Sequence, residues 1–134
     1  MEEVPRALLV PPDATALLAV LRDGTARTRA QLVELTGLSR STVAARLDVL
    51  TAAGLIGEDG EEVSSGGRPP VRLAFRPAAR LVLAVDLGAT HAVVALTDLA
   101  GTVLADRARR VPIGDGPEAV LDWVLDTGRD LLAE

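Results

Sequence analysis

Apolar positions in the first fifty residues recur at helical spacing. In "PPDATALLAVLRDG" (11–24), Leu17, Leu18 and Leu21 share a face; Pro11 and Pro12 precede Asp13, a residue suited to an N-cap, and Gly24 ends the run. In "TRAQLVELTG" (28–37), Leu32 and Leu35 face one way, Thr28 and Gln31 have capping-box spacing, and Gly37 is the stop. In "SRSTVAARLDVLTAAG" (39–54), Ser39 is the N-cap, Val43, Leu47 and Leu50 fall at i, i+4 and i+7, and Gly54 supplies the left-handed end. Only "GLS" (37–39) separates the second helix from the third. A turn that short makes the helices cross steeply, which is the helix-turn-helix arrangement.

After Gly54 the pattern shortens. Leu55–Ile56 and Val71–Phe75 read as strands around a polar stretch rich in Gly and Pro, hence a β-ribbon or wing. From Leu81 the period changes again. "LVLAVD" is a nearly continuous apolar run, the pattern of a buried strand; "HAVVALTD" and "GTVLADRARRV" follow as strands, with a turn at "DLAG". "GDGPEAVLDWVLDTGRDLLAE" closes the chain as a helix with Pro117 in its first turn and Val120, Trp123, Val124, Leu131 and Leu132 on its apolar face. The expected organisation is a three-helix-plus-ribbon domain over 1–76, a linker at 77–80, and a β-β-β-α segment over 81–134.

Composition narrows the chemistry. With 134 residues, 49% of them hydrophobic, the chain is long enough for one domain or two small ones. It has no Cys and one His, His91, so neither a disulfide framework nor a metal site is expected, and no cofactor. No apolar stretch reaches membrane-spanning length, and the two acids near the N-terminus are unlike a secretory leader, so a cytoplasmic chain without a membrane partner is expected. The net charge of −5 argues against nucleic acid until it is divided. Residues 1–80 hold 10 Arg and 10 acids, whereas 81–134 hold 4 Arg and 9 acids, so the whole deficit lies in the second half.

The third helix leaves Arg40, Ser41, Thr42, Ala45 and Arg46 off its apolar stripe. Guanidinium groups read guanine in a bidentate way, Ser and Thr bond bases or phosphates, and Ala lets the helix approach closely. With Arg29 and Ser39 beside them, these are the candidate DNA-contacting residues. The ribbon adds Arg68, in "GGRPP", and Arg72; from Val63 to Arg80 there are four Arg and no acid. The acids of "EDGEE" (58–62) would repel phosphates and should face away.

Taken together, "GLSRSTVAARLDVLTAAGLI", "SSGGRPPVRLAF", "VDLGATHAVVALTDLAG" and the last helix resemble the N-terminal part of a ROK (repressor, open reading frame, kinase) protein in its transcriptional-regulator form. The resemblance runs from about residue 13 to the end. It implies an α+β chain: a winged helix-turn-helix followed by an incomplete actin-like (ribonuclease H-like) β-β-β-α unit. In kinases of the family the D-x-G-x-T hairpin grips ATP phosphates. By that resemblance Asp86 would orient a metal-bound water, Gly88 would let backbone N–H groups approach the phosphates, and Thr90 would bond a phosphate oxygen. Read from its residues alone, the turn is better taken as a structural one whose Gly supplies a positive φ. The family's kinases also need a later catalytic Asp, a second lobe and a Cys-rich zinc motif, none of which is in this sequence. The hairpin is therefore expected to be vestigial.

The resulting expectation is a non-enzymatic regulator of repressor type that binds double-stranded DNA and lacks sugar-effector control. The alternatives are a fragment of an ATP-dependent sugar kinase, or an interaction module pairing with a full-length relative. Residues 81–134 are few for an independent domain, and the family fold flanks "LVLAVD" with a later strand not present here. Self-association, or pairing with a related ROK chain, is expected at that edge.

Overall fold

Residues 12–61, 66–110, 114 and 116–134 are described by a computed structural model, and they build an α+β fold. Chain contacts divide it into two compact units, Met1–Arg76 and Pro77–Glu134.

The first unit runs α1 (Pro12–Leu21), β1 (Arg27–Thr28), α2 (Arg29–Thr36), α3 (Arg40–Ala52), β2 (Ile56–Glu61) and β3 (Val71–Phe75). α1 begins at Pro12, one residue ahead of the expected N-cap position Asp13. α2 opens with the full capping box: Gln31 N–H donates to Thr28 Oγ1 at 3.2 Å, and Thr28 N–H donates to Gln31 Oε1 at 2.9 Å. Gly37, at φ +69°, closes α2, with its N–H donating to the Val33 carbonyl. Ser39 caps α3 by accepting from Thr42 N–H at 3.1 Å.

Leu17 and Leu21 of α1, Leu32 of α2, Val43, Leu47 and Leu50 of α3, Ile56 of β2 and Leu73 of β3 form one core. Each large apolar side chain fully buried this way contributes about 1.5–3 kcal/mol. Leu35 departs from the sequence expectation. It is 58% exposed while Leu32 is fully buried, because an i, i+3 pair on a short helix straddles the edge of its buried face.

β1, which the sequence pattern does not reveal, joins β3 antiparallel with Thr28 opposite Arg72, and β2 pairs with the other side of β3. The wing strand β2 runs further than Leu55–Ile56, through the acidic stretch to Glu61, with a register shift between Glu58 and Glu61. Across the helix–ribbon junction, Arg27 donates to Asp23 Oδ1 at 2.8 Å. That guanidinium, with the Thr25 N–H, holds the Asp23 carboxyl well below the usual carboxylate range. Thr28 is 3% exposed and serves as both cap and strand residue. Thr28→Ala should therefore lower stability by about 1–2 kcal/mol, read as a lower urea midpoint at unchanged slope.

The second unit contains β4 (Leu81–Leu87), β5 (His91–Asp98), β6 (Val103–Arg110) and α4 (Pro117–Ala133). The sheet order is β4-β5-β6, antiparallel throughout. Residues 77–80 carry a 3-10 turn at Pro77–Ala79, and the Leu99 N–H donates to the Pro77 carbonyl at 3.0 Å. The turn at Asp98 is fixed by N–H groups of Thr102 and Ala100 donating to its carboxylate, which lowers that carboxyl's pKa.

Val94 and Leu96 of β5 pack with Val124 and Leu131 of α4, with Trp123 alongside. Gly128 permits this approach: a Cβ there would lie 2.7 Å from Leu83 Cδ2. Two expectations fail in this unit. Leu132 is 59% exposed, outside the buried face of α4. More importantly, β4 is not a buried strand: all seven of its residues are exposed. An apolar run specifies burial only if both strand edges and both faces are covered, and β4 pairs with β5 alone.

Candidate nucleic-acid interface

The buried stripe of α3 fixes what the helix shows to solvent. With Val43, Leu47 and Leu50 turned inward, Arg40, Ser41, Ala45 and Asp48 are exposed and Thr42 and Arg46 half-buried. Ser41, Ala45 and Asp48 stand at i, i+4 and i+7, a straight outward line. Asp48 was not among the residues singled out from the sequence. The spacing that gives the buried stripe gives the opposite face as well, and would have found it.

Ser39 is committed to structure. Its hydroxyl accepts from Thr42 N–H and lies 2.8 Å from Thr42 Oγ1 and 3.1 Å from Ser41 Oγ. Arg29 and Arg40, each the first residue of its helix, line one groove with Ala30, Val33 and Val43. Two arginines at the starts of capped helices give this groove positive charge, which suits phosphate oxygens.

On the ribbon, Glu58 and the two strand arginines part by face. Gly57 pairs with Ala74 and Glu58 with Leu73, so strand alternation puts Arg72 and Arg76 on the face opposite Glu58. The Arg76 guanidinium lies over Gly57, and the Arg72 guanidinium approaches Gly60. Arg68 is exposed beyond the strands. Residues 62–65, which include the last acid of "EDGEE", lie outside the described residues.

The second candidate site, the 86–90 hairpin, is closed on itself. The Gly88 N–H donates to the His91 carbonyl at 2.8 Å, and so is not presented to a ligand. Gly88 does not have a positive φ, and the exposed His91 ring lies over the space a Cβ would take. Asp86 is 3.7 Å from His91 Nε2, and both side chains are more than half exposed. The hollow beside the hairpin is lined by Leu87, Gly88, His91, Pro117, Val120 and Leu121 among others, mostly apolar, and neither Asp86 nor Thr90 lines it. Among the described residues no cluster of three His, Cys, Asp or Glu could hold a metal ion. Among them, too, no helix is long and apolar enough to cross a membrane.

Comparison with known proteins adds kinship to this geometry. The MarR family model matches residues 9–64. The xylose repressor of Bacillus subtilis (strain 168) is 38% identical over 98 residues, covering 73% of this chain and 25% of that protein. A putative xylose repressor of Caldicellulosiruptor sp. (strain Rt8B.4) is 28% identical over 116 residues, covering 87% of this chain and 29% of its own. The chain thus spans about a quarter of the length of these curated relatives. In fold, it matches a crystal structure described as a ROK family transcriptional regulator, a homologue of the E. coli MLC protein. The TM-score is 0.61 at 23% identity, over 74% of this chain and 25% of that one. The chain is thus similar in sequence to xylose repressors over about a quarter of their length, and its helices, ribbon and β-β-β-α unit share the fold of the ROK regulator structure.

Proposed function

We propose that the chain binds double-stranded DNA selectively, acts as a transcriptional repressor in the cytoplasm, and catalyses no reaction. The observation that carries this reading is the outward face of α3: small at Ser41 and Ala45, flanked by Arg40, with the acid Asp48 a turn further along, and held by a buried stripe on the other side. Such a helix fits a major groove, with Arg46 and Thr42 at its flank. Arg29 and Arg40 supply phosphate contacts. Arg68 and Arg72 on the ribbon supply further backbone or minor-groove contacts. The domain assignment goes with this reading: 1–76 carries DNA binding, and 81–134 belongs to a sugar-kinase-like lobe.

The kinase alternative is weakened by the hairpin. Phosphoryl transfer needs a metal clamp, a positioned acceptor and a base. Here the Gly88 amide is already bonded and Asp86 faces an imidazole.

The similarity to xylose repressors supplies the first probe, operator DNA of a xylose repressor. Fluorescence anisotropy at moderate salt should give saturable binding that unrelated duplexes compete for poorly. Arg68→Ala should weaken binding to all duplexes alike and reduce the salt slope by about one phosphate's worth. If no duplex, including a library of genomic fragments, is retained by the folded protein, the reading is wrong.

A further inference from the structure

Asp48 is an acid on a helix face that otherwise suits DNA. It is exposed, it follows Ser41 and Ala45 on the outward line of α3, and among the described residues it forms no ion pair. Its neighbours on the helix surface, three and four residues to either side, are Ala44, Ala45, Thr51 and Ala52. Arg40 and Arg46 stand eight and two residues away, spacings at which side chains on a helix are not neighbours. The dipole of α3 does not favour an acid in its C-terminal half. Helix stability therefore does not account for a carboxylate at this position.

A carboxylate only accepts hydrogen bonds. In a major groove it meets acceptors on every base pair, and donors only at the N4 amino group of cytosine and the N6 amino group of adenine. Adenine sets its N7 acceptor beside the amino group, which repels a carboxylate, whereas cytosine sets a C–H bond there. Cytosine is the better match. Ser41, Ala45 and Asp48 span about 10 Å of helix axis, the length of about three base pairs, so all three fall within one short reading window.

We propose that Asp48 determines the sequence specificity of α3 by accepting a hydrogen bond from the N4 amino group of a cytosine in the major groove. The proposal rests on the assignment of α3 as the reading helix. A carboxylate among phosphates weakens binding to every duplex that lacks this amino group in register, so most of its discrimination comes from rejecting wrong sites.

The test starts from duplexes that the 134-residue protein selects from a randomised library, followed by a series in which each base pair of the selected site is changed in turn. At one position wild type should prefer C·G over the other three pairs by about tenfold in Kd. Asp48→Ala, which keeps a good helix former in an exposed position, should flatten that preference to within about twofold. It should leave preferences elsewhere unchanged and bind the three mismatched duplexes more tightly than wild type does. Asp48→Asn should move the preference to A·T, because an amide pairs with both N6 and N7 of adenine. N4-methylcytosine, whose methyl group replaces the amino hydrogen facing the groove, should weaken wild type and leave Asp48→Ala unaffected. A uniform gain in affinity for every duplex from Asp48→Ala would overturn the proposal and set Asp48 outside the groove, with the DNA-binding reading intact. So would a wild-type site with no C·G preference that Asp48→Ala removes, an Asn variant that keeps the cytosine preference, or indifference of wild type to N4-methylcytosine. Folded wild-type protein that retains no duplex from the library would overturn the DNA-binding reading itself, and this proposal with it.

Discussion

Leu47→Ala should cost the first unit about 2–5 kcal/mol, the range for emptying a well-packed leucine site. Leu47 is 1% exposed and sits in α3 within the core built from α1, α2, α3, β2 and β3. A domain of this size holds only about 5–15 kcal/mol in total, so this one truncation removes a large part of its stability. DNA binding should disappear with it at physiological temperature, because α3 carries both the core stripe and the outward face. Leu35→Ala is the matched control: same helical bundle, same deletion, but a side chain 58% exposed. It should change stability by no more than about 0.5 kcal/mol. Urea unfolding followed by circular dichroism measures both. Equal losses in the two variants would mean that the core assignment is wrong.

The contrast between these leucines shows what the sequence pattern could and could not convey. α3 was fully legible because cap, apolar stripe and left-handed Gly54 all point to the same helix, and the structure uses each of them. α2 was legible at its ends, through Thr28, Gln31 and Gly37, but not at Leu35. Two leucines three residues apart do not say which of them a neighbouring helix covers. β1 was invisible, since two residues carry no period, and only β3 lying alongside makes Arg27–Thr28 a strand.

The second unit was legible in order but not in burial. "LVLAVD" carries the apolar content of an interior strand, and content alone predicts burial. Whether burial happens depends on partners at both edges and on both faces, and those are distant in sequence. α4 supplies part of one face: its buried positions, Val124, Thr127, Gly128 and Leu131, serve β5 more than β4. The motif of the hairpin is ambiguous for a related reason. D-x-G-x-T names residues that suit a phosphate, whereas accessibility of the Gly88 amide depends on where the His91 carbonyl lies.

Ala45→Glu should abolish selective DNA binding while leaving the fold intact. Ala45 is exposed at the centre of the outward line of α3, one turn beyond Ser41. Glutamate is a good helix former, so the substitution should cost the helix little. In a major groove the new carboxylate would lie among phosphates and base acceptors and would fill space that a methyl group leaves open. A loss of about 2–3 kcal/mol, or roughly 30- to 150-fold in Kd, is expected from an unpaired, like-charged group at a reading position. Ala52→Glu supplies the control. It makes the same change in net charge on the same helix, seven residues and about 10 Å further along, at its exposed C-terminal end. Only a few-fold weakening is expected there, and it should fade as salt screens it. Anisotropy titrations with specific and scrambled duplexes separate the cases. A loss confined to Ala45→Glu, and larger for the specific duplex, assigns α3 as the reading helix. Equal weakening by both variants would mean that net charge alone governs the affinity, and no effect from either would place the DNA contact somewhere other than α3.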